Sequence, residues 1–186
     1  MRKLRTIEMK RLSISEYRDA EKLPLVVVLD NVRSLYNVGS VFRTADAFRL
    51  ERLCLCGITA TPPHNEIHKT ALGAEDSVDW QYFPTALEAV EALRDEGYTV
   101  FAIEQAEGSL KLGELPPDVQ EQIGRGKVAV VLGNEVKGVG QDVVDACDGC
   151  IEIRQYGTKH SMNVSVTAGI VIWEINRIIK EMPRMI

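Results

Sequence analysis

Three stretches of the chain combine glycines, polar side chains and charges in a way that suits a binding site. They are NVRSLYNVGSVFRTADAF (31–48), VVLGNEVKGVG (130–140) and IEIRQYGTKHSMNVSVTAG (151–169). In the third stretch, polar residues lead into an apolar helix, so we expect backbone N–H groups near Ser161 to be free to bind a ligand. Ser161 is also suited to cap the helix N-terminus, and the stretch alone leaves both interpretations open.

The first two stretches each offer an approach for a ligand. Gly39 and Arg43 are four residues apart, so Arg43 is predicted to project past a patch without a side chain toward whatever docks there. A surface ion pair is the other interpretation of Arg43. Gly133 follows an apolar run, and we expect it to let a ligand approach the backbone closely. The N–H and C=O groups of that loop would then bond an adenine or a ribose.

Several common sites are excluded by residue spacing. The first apolar run is not followed by G-x-G-x-x-G, GNEVKGVG lacks the P-loop spacing, and G-x-S-x-G does not occur. His64 and His68 have helical metal spacing, but no second matching pair accompanies them. The cysteines form the pairs Cys54/Cys56 and Cys147/Cys150. The second pair has the spacing of a redox or zinc half-site, yet we expect buried apolar cysteines and no metal.

Strands and helices are predicted to alternate along the chain. Short apolar runs predict strands over 23–30, 53–57, 78–83, 99–104, 127–133 and 150–153. Helical periodicity predicts helices from about Asn37, over 66–72 and 141–146, after the Thr85 cap, and at the end of the chain. Residues 110–126 are predicted to be a loop. The alternation predicts an α/β fold with a mostly parallel sheet and helices on both faces.

Unusual polar residues follow the predicted strands. In α/β sheets, ligands collect beyond the carboxyl ends of the strands. The residues at those ends are Asp30-Asn31, Glu104-Gln105, Gly133-Asn134-Glu135 and Arg154. The sequence therefore predicts a site at that edge of the sheet.

The charge is modest but uneven. The net charge of −5 over 186 residues argues against indiscriminate nucleic-acid binding by the whole surface. Residues 1–12 carry five basic side chains against one acid, a net of +4. We expect a basic extension over 1–22, which either meets phosphates or is a solvated terminus, and a single domain over 23–186. No signal-peptide pattern or membrane span is found, so the expected location is the cytoplasm.

The three stretches resemble, in content and order, the motifs of the SpoU/TrmH-type RNA 2′-O-ribose methyltransferases of the SPOUT superfamily. The resemblance extends over residues 25–179. It implies the SPOUT fold with a C-terminal trefoil knot, a feature that general topology rules disfavour. It also implies a homodimer that binds S-adenosylmethionine in the knot. Arg49 stands where many relatives have glycine, and the extra RNA-binding domain of some relatives is not found, so the basic extension would share that work.

The resemblance also implies roles for residues at matching positions. Those expected to bind the cofactor are Ile103, Leu132, Gly133, Ile153, Ser161 and Met162. The catalytic positions are Arg43, which matches the arginine of the first motif, and Asn37, Glu135, Ser161 and Asn163. The basic side chains expected to meet RNA are Arg2, Lys3, Arg5, Lys10 and Arg11.

The implied reaction transfers a methyl group from S-adenosylmethionine to a ribose 2′-hydroxyl of structured RNA, with tRNA favoured over rRNA. Arg43 is a poor general base, because a guanidinium hardly ever loses its proton in proteins. We expect Arg43 to clamp the adjacent phosphate and stabilise developing alkoxide charge, with Glu135 and Asn163 positioning the reactants. The alternatives are an rRNA 2′-O-methyltransferase, a base methyltransferase, and a non-enzymatic RNA-binding or ribosome-assembly protein on the same fold.

Overall fold

Seven parallel strands form the centre of the molecule. The computed structural model describes residues 1–181, with Thr6 by its backbone alone, so residues 182–186 of the expected domain lie outside the described residues. The strands in this range are β1 (Leu23–Asp30), β2 (Leu50–Cys56), β3 (Trp80–Phe83), β4 (Thr99–Ile103), β5 (Leu110–Lys111), β6 (Val128–Leu132) and β7 (Gly149–Glu152). They lie in the order β3-β2-β1-β6-β4-β7-β5, and every neighbouring pair is parallel.

Helices separate most of these strands along the chain. The described helices are α1 (Ile14–Asp19), α2 (Leu35–Phe48), α3 (Asn65–Ala71), α4 (Ala74–Ser77), α5 (Ala86–Asp95), α6 (Pro117–Gly124), α7 (Gln141–Ala146) and α8 (Val164–Glu181). A short 3-10 turn precedes them at Thr6–Met9. The predicted α/β fold is therefore confirmed.

The central strand β1 is apolar on both faces because helices cover both sides of the sheet. Alternate side chains of a strand point to opposite faces. Val27 accordingly packs in one buried cluster with residues of α2 and α8, while Val28 packs in a second cluster with residues of α5 and α7. The prediction of helices on both faces is confirmed.

The prediction of a plain loop over 110–126 is wrong. The segment contains β5, which adds two residues to the edge of the sheet beside β7, and the helix α6. Pro117 is the first residue of α6, where its fixed φ suits the helix and its missing N–H costs nothing. The apolar pattern is weak because Ile123 is the buried side chain of a helix that is otherwise polar or partly exposed.

The N-terminal residues begin on the surface and end in the core. In α1, Tyr17 is buried in the same cluster as Val27, and the Arg18 guanidinium donates to the backbone oxygen of Asp76 at 2.9 Å. Residues 1–5 and 7–12 are exposed. Over residues 1–181, no helix is both long and apolar enough to cross a membrane.

Candidate active site

A cleft of about 250 Å³ lies beyond the carboxyl ends of β4, β6 and β7. Parallel strands end at one edge of a sheet, so the segments that follow them meet there. The cleft is lined by all six residues expected to bind the cofactor, namely Ile103, Leu132, Gly133, Ile153, Ser161 and Met162. Four separate parts of the chain thus converge on one cavity.

The loop after β6 forms one wall of this cleft and is tightly closed on itself. Asn134 and Gly138 exchange backbone hydrogen bonds of 3.1 and 2.9 Å across the loop. A Cβ atom on Gly133 would lie 2.2 Å from the Gly138 carbonyl carbon and from the Val139 nitrogen. The side of Gly133 on which a Cβ would lie is therefore filled by the loop's own backbone, while Gly133 still lines the cleft. Close approach of a ligand to its backbone stays a prediction.

A chain of hydrogen bonds joins the three motifs beside the cleft. The Asn163 amide donates to Asn37 Oδ1 at 3.1 Å, and the Asn37 amide donates to Glu135 Oε1 at 3.1 Å. The Glu135 carboxylate also accepts from the backbone N–H groups of Arg33 (3.1 Å) and Ser34 (3.2 Å). This arrangement ties the start of α2, the loop after β6 and the start of α8 together.

The Glu135 carboxylate is held in its charged form. Burial opposes the charge, but hydrogen bonds from its own amide and from Arg33, Asn37 and Ser34 outweigh that cost and hold the pKa of Glu135 below its usual value. Glu135 therefore acts as a fixed acceptor at neutral pH.

The start of α8 is capped by Asn163. Its side-chain oxygen accepts from the Ser165 N–H at 2.9 Å and from the Val166 N–H at 3.4 Å, and its backbone oxygen accepts the first helical bond from Thr167. The interpretation of Ser161 as the N-cap is wrong, because Ser161 lies two residues before the cap. Ser161 is exposed at the cleft and makes no hydrogen bond within the described residues.

Glu104 and Gln105 also build the cleft, although the sequence assigned them no role beyond their place after β4. The Glu104 carboxylate accepts from the Val139 N–H at 3.0 Å and fills the space where a Cβ on Gly138 would lie. The Gln105 side-chain amide donates to the His160 backbone oxygen at 2.7 Å. These two residues therefore hold the loop after β6 and the loop before α8 against β4.

Arg43 lies outside this cleft. It borders a separate depression of about 500 Å³ together with Lys69 and Phe48, and its guanidinium makes no hydrogen bond or ion pair within residues 1–181. The prediction that Gly39 leaves a free patch for a ligand is wrong, because a Cβ there would lie 2.1 Å from Thr70 Oγ1 and 2.3 Å from the Ile67 oxygen. Gly39 allows α3 to pack closely on α2.

The basic side chains of the N-terminal extension are exposed and do not line the cleft. Arg2 pairs with Glu8, with two contacts of 2.8 and 3.0 Å, and the structure gives no ion pair to the other four among the described residues. Those four are Lys3, Arg5, Lys10 and Arg11.

The cysteines are unpaired thiols in apolar surroundings. Burial raises the pKa of Cys54 to about 11 and that of Cys147 to about 12. The Cys150 thiol donates to the Glu104 backbone oxygen behind the cleft at 3.3 Å. Over residues 1–181, no group of three or more histidine, cysteine or acidic side chains is arranged to hold a metal ion.

Comparison with known proteins places the chain in a family. A sequence model of the SpoU rRNA methylase family matches residues 24–173. A protein of Staphylococcus haemolyticus (strain JCSC1435), named as a TrmH-family tRNA/rRNA methyltransferase, is 28% identical over 164 residues. The alignment covers 88% of this chain and 63% of that relative, so the chain spans less than two thirds of the relative's length.

Solved structures share the fold. An AdoMet-bound rRNA methyltransferase from Sinorhizobium meliloti superposes with a TM-score of 0.76 at 24% identity, covering 90% of this chain and 61% of that one. A structure described in terms of the 2-OH methylation of C/U34 on tRNA superposes with a TM-score of 0.72 at 24% identity, covering 85% and 97%. The parallel sheet, the converging motifs and the match over residues 24–173 lead to one conclusion: the chain belongs to the SpoU rRNA methylase family.

Proposed function

We propose that the protein methylates a ribose 2′-hydroxyl in structured RNA, using S-adenosylmethionine as the methyl donor, in the cytoplasm. The observation that carries the proposal is the convergence of six expected cofactor residues on one cleft beside the Asn163–Asn37–Glu135 chain of hydrogen bonds. The AdoMet complex of the Sinorhizobium meliloti enzyme and the 2-OH methylation named for the tRNA relative support the chemistry.

The cleft suits S-adenosylmethionine by its chemistry. Ile103, Leu132 and Met162 offer apolar surface to an adenine, while the unpartnered Ser161 hydroxyl and the Glu104 carboxylate offer polar contacts to a ribose or an ammonium group. When bound, S-adenosylmethionine supplies an electrophilic methyl group on its sulfonium. The chain's own contribution is to hold that ligand and the acceptor hydroxyl in line and to exclude water.

Arg43 acts on the RNA. As a clamp, its guanidinium binds the phosphate beside the acceptor ribose in a bidentate manner and stabilises charge on the 2′-oxygen as the proton passes to a phosphate oxygen or to water. The Asn37–Glu135 pair fixes the wall against which that ribose lies. An Arg43→Lys variant keeps the charge but loses the fork, so near-wild-type turnover of that variant would argue against the clamp.

A homodimer completes the active site. Arg43 is separated from the cleft of its own chain, but its depression adjoins Phe48, whose ring packs edge-on against Trp173 at 6.1 Å. Trp173 is 62% exposed and lies beside exposed Val166 and Ile170 on one face of α8. Such an apolar face favours burial against another subunit. We propose that a second copy docks on this face and supplies its Arg43 to the cleft of the first.

The trefoil knot is part of this proposal. The support is the family match together with the segment from β7 to α8, which lines the same cleft as the loop after β6. The test pulls the ends of the chain apart in an optical trap and measures the fully stretched end-to-end length. A knotted chain should stretch to a shorter length than an unknotted chain with the same number of residues. Full extension would contradict the knot.

The substrate is tRNA in this proposal, with rRNA as the second candidate. The relative described by methylation of C/U34 on tRNA favours tRNA, whereas the Sinorhizobium meliloti enzyme is named for rRNA. A non-enzymatic RNA-binding protein is the alternative from another class. The intact set Asn37, Arg43, Glu135 and Asn163 argues against that alternative.

The test is transfer of tritium from methyl-labelled S-adenosylmethionine into total tRNA and total rRNA, with Arg43→Ala alongside. We expect the wild-type protein to transfer label into tRNA. Arg43→Ala should transfer none, although it still binds the cofactor. Cofactor binding without label in either RNA pool would argue against these substrates. Absence of cofactor binding as well would favour the non-enzymatic protein.

A further inference from the structure

A second groove lies on the other side of the loop after β6. It has a volume of about 510 Å³, within the range of ligand pockets, and we name it the Arg33–Lys137 groove. The residues that define it are Asp30, Arg33, Ile58, Asn134, Val136 and Lys137. Asn134, Val136 and Lys137 also line the cofactor cleft, so a single loop separates the two cavities.

Two cations at this groove have no partner. The side chains of Arg33 and Lys137 make no hydrogen bond or ion pair within residues 1–181, although their backbones are fixed. The Arg33 N–H donates to Glu135 Oε2 and the Lys137 N–H donates to Asn134 Oδ1, both at 3.1 Å. Unpaired cations on a fixed backbone are suited to bind an anionic group.

The acidic groups nearby do not neutralise these cations. Asp30 is only 5% exposed, and its carboxylate accepts from the Asn31 amide at 2.7 Å and from the backbone of Gly140. Glu135 is occupied by the amides of the α2 start and by Asn37. Asp142 lies near Gly140 and Asp30 but is not among the residues that line the groove, so the free charge on the groove's own lining is positive.

The groove also presents apolar side chains to solvent. Ile58 is 65% exposed and Val136 is 79% exposed. The backbone of Ile58 is held by a 3.1 Å hydrogen bond to Asn31 Oδ1, and the N–H of Val136 donates to Asn134 Oδ1 at 2.9 Å. Apolar side chains on a fixed backbone, beside unpaired cations, match a nucleotide, whose flat base needs an apolar contact and whose phosphate needs a cation.

We propose that the Arg33–Lys137 groove binds the nucleotide next to the methylated one. Its phosphate is held by Arg33 and Lys137, and its base rests against Ile58 and Val136. The inference rests on the proposed methyl transfer. The groove and the cofactor cleft are separated by a single loop, so a nucleotide in the groove is next to the one whose ribose is at the cleft. Since the base must leave its stack to enter the groove, the substrate is a single-stranded or looped region of RNA.

The test measures binding of a ten-nucleotide oligouridylate at several salt concentrations. Arg33→Gln and Lys137→Gln should each weaken binding about tenfold at low salt and lower the salt slope by roughly 0.7, the value for one phosphate contact on a single strand. Ile58→Ser should weaken binding and leave the salt slope unchanged, because it removes an apolar contact. Lys180→Gln, which removes an exposed charge on α8, is the matched control and should change neither quantity.

Separate measurements distinguish this inference from the proposed function. Urea unfolding confirms that each variant is folded. Wild-type affinity and slope in Arg33→Gln and Lys137→Gln would overturn the groove as an RNA site, even if the wild-type protein methylates RNA. Loss of polyglutamate binding in those variants, with RNA binding unchanged, would overturn it in favour of an acidic protein partner. A third outcome is that the variants bind oligouridylate more weakly while the wild-type protein transfers no methyl group to RNA. That outcome would support the groove as an RNA site and refute the methyl transfer.

Discussion

Asn37 is the central residue of the hydrogen-bonded chain Asn163–Asn37–Glu135. Its amide donates to Glu135 and its oxygen accepts from Asn163, so both ends of the side chain have one defined orientation. Motif resemblance was able to name these three residues because each stands in a recognisable stretch. It was unable to separate their roles, because the hydrogen bonds join positions 98 and 126 residues apart. Only the folded chain reveals that Glu135 is the acceptor and Asn163 the helix cap.

The lowered pKa of Glu135 predicts a pH-dependent contribution to stability. Because the folded-state pKa lies below the ordinary value of 4.5, the contribution is fully present above that pH and is lost as pH falls through the folded-state pKa. At pH 7, Glu135→Gln should lower the free energy of unfolding by about 1 kcal/mol, since the side chain is only partly buried.

Urea unfolding of Glu135→Gln and the wild type, from neutral pH to below 4, checks this expectation. The difference between the two proteins should shrink as the pH falls. Glu107→Gln, which removes an exposed carboxylate, should match the wild type throughout. A difference that persists unchanged at the lowest pH would show that the charge of Glu135 does not stabilise the fold.

The alternation of strands and helices was predictable at the scale of elements, whereas the edges of the sheet were not. Runs such as Leu23–Asp30 are buried on both faces, so their composition alone identifies them. By contrast, β5 has two residues and depends on its neighbour β7, and α6 buries a single apolar side chain. Such elements are formed by their partners and leave a weak periodic signal.

The packing of α2 on α3 depends on Gly39. A methyl group there would collide with Thr70 Oγ1 and the Ile67 oxygen, and the backbone oxygen cannot move without shifting α3. Gly39→Ala should therefore destabilise the protein by about 1–3 kcal/mol despite the better helix propensity of alanine. Ser40→Ala, one residue along the same helix, is the control and should be nearly neutral in thermal or urea unfolding. Equal stabilities for both variants would contradict the close contact.

In a dimer, either chain could supply the Arg43 that serves a given cleft. In the proposed homodimer, the cleft of one copy uses Arg43 of the other. Arg43→Ala should be inactive alone. Gly133→Ala distorts the cleft wall and should also be inactive alone. When the two are unfolded and refolded together, about a quarter of wild-type activity should return, because half of the dimers are mixed and each contains one intact site.

The mixing experiment has a clear opposite outcome. If Arg43 serves the cleft of its own chain, a mixed dimer contains no intact site and the mixture stays inactive. Light scattering on the same samples establishes whether a dimer is present at all. A monomeric and fully active wild-type protein would refute the shared site.

The basic N-terminal extension is proposed to bind RNA phosphates. Deleting residues 2–11 removes the side chains proposed to meet RNA, which are Arg2, Lys3, Arg5, Lys10 and Arg11. The salt slope of RNA binding should then fall by roughly 0.7–0.9 for each RNA phosphate that the shortened protein no longer binds. Fluorescence titration of total tRNA at several salt concentrations measures this slope. An unchanged slope would remove the extension from the binding surface.

The position of the transferred methyl group distinguishes ribose methylation from base methylation. RNA labelled from methyl-tritiated S-adenosylmethionine is digested with alkali, which cleaves only where a free 2′-hydroxyl is present. We predict that the label is recovered in alkali-stable dinucleotides, and that Arg43→Ala yields none. Label recovered in single nucleotides, as a methylated base, would contradict ribose methylation by this protein.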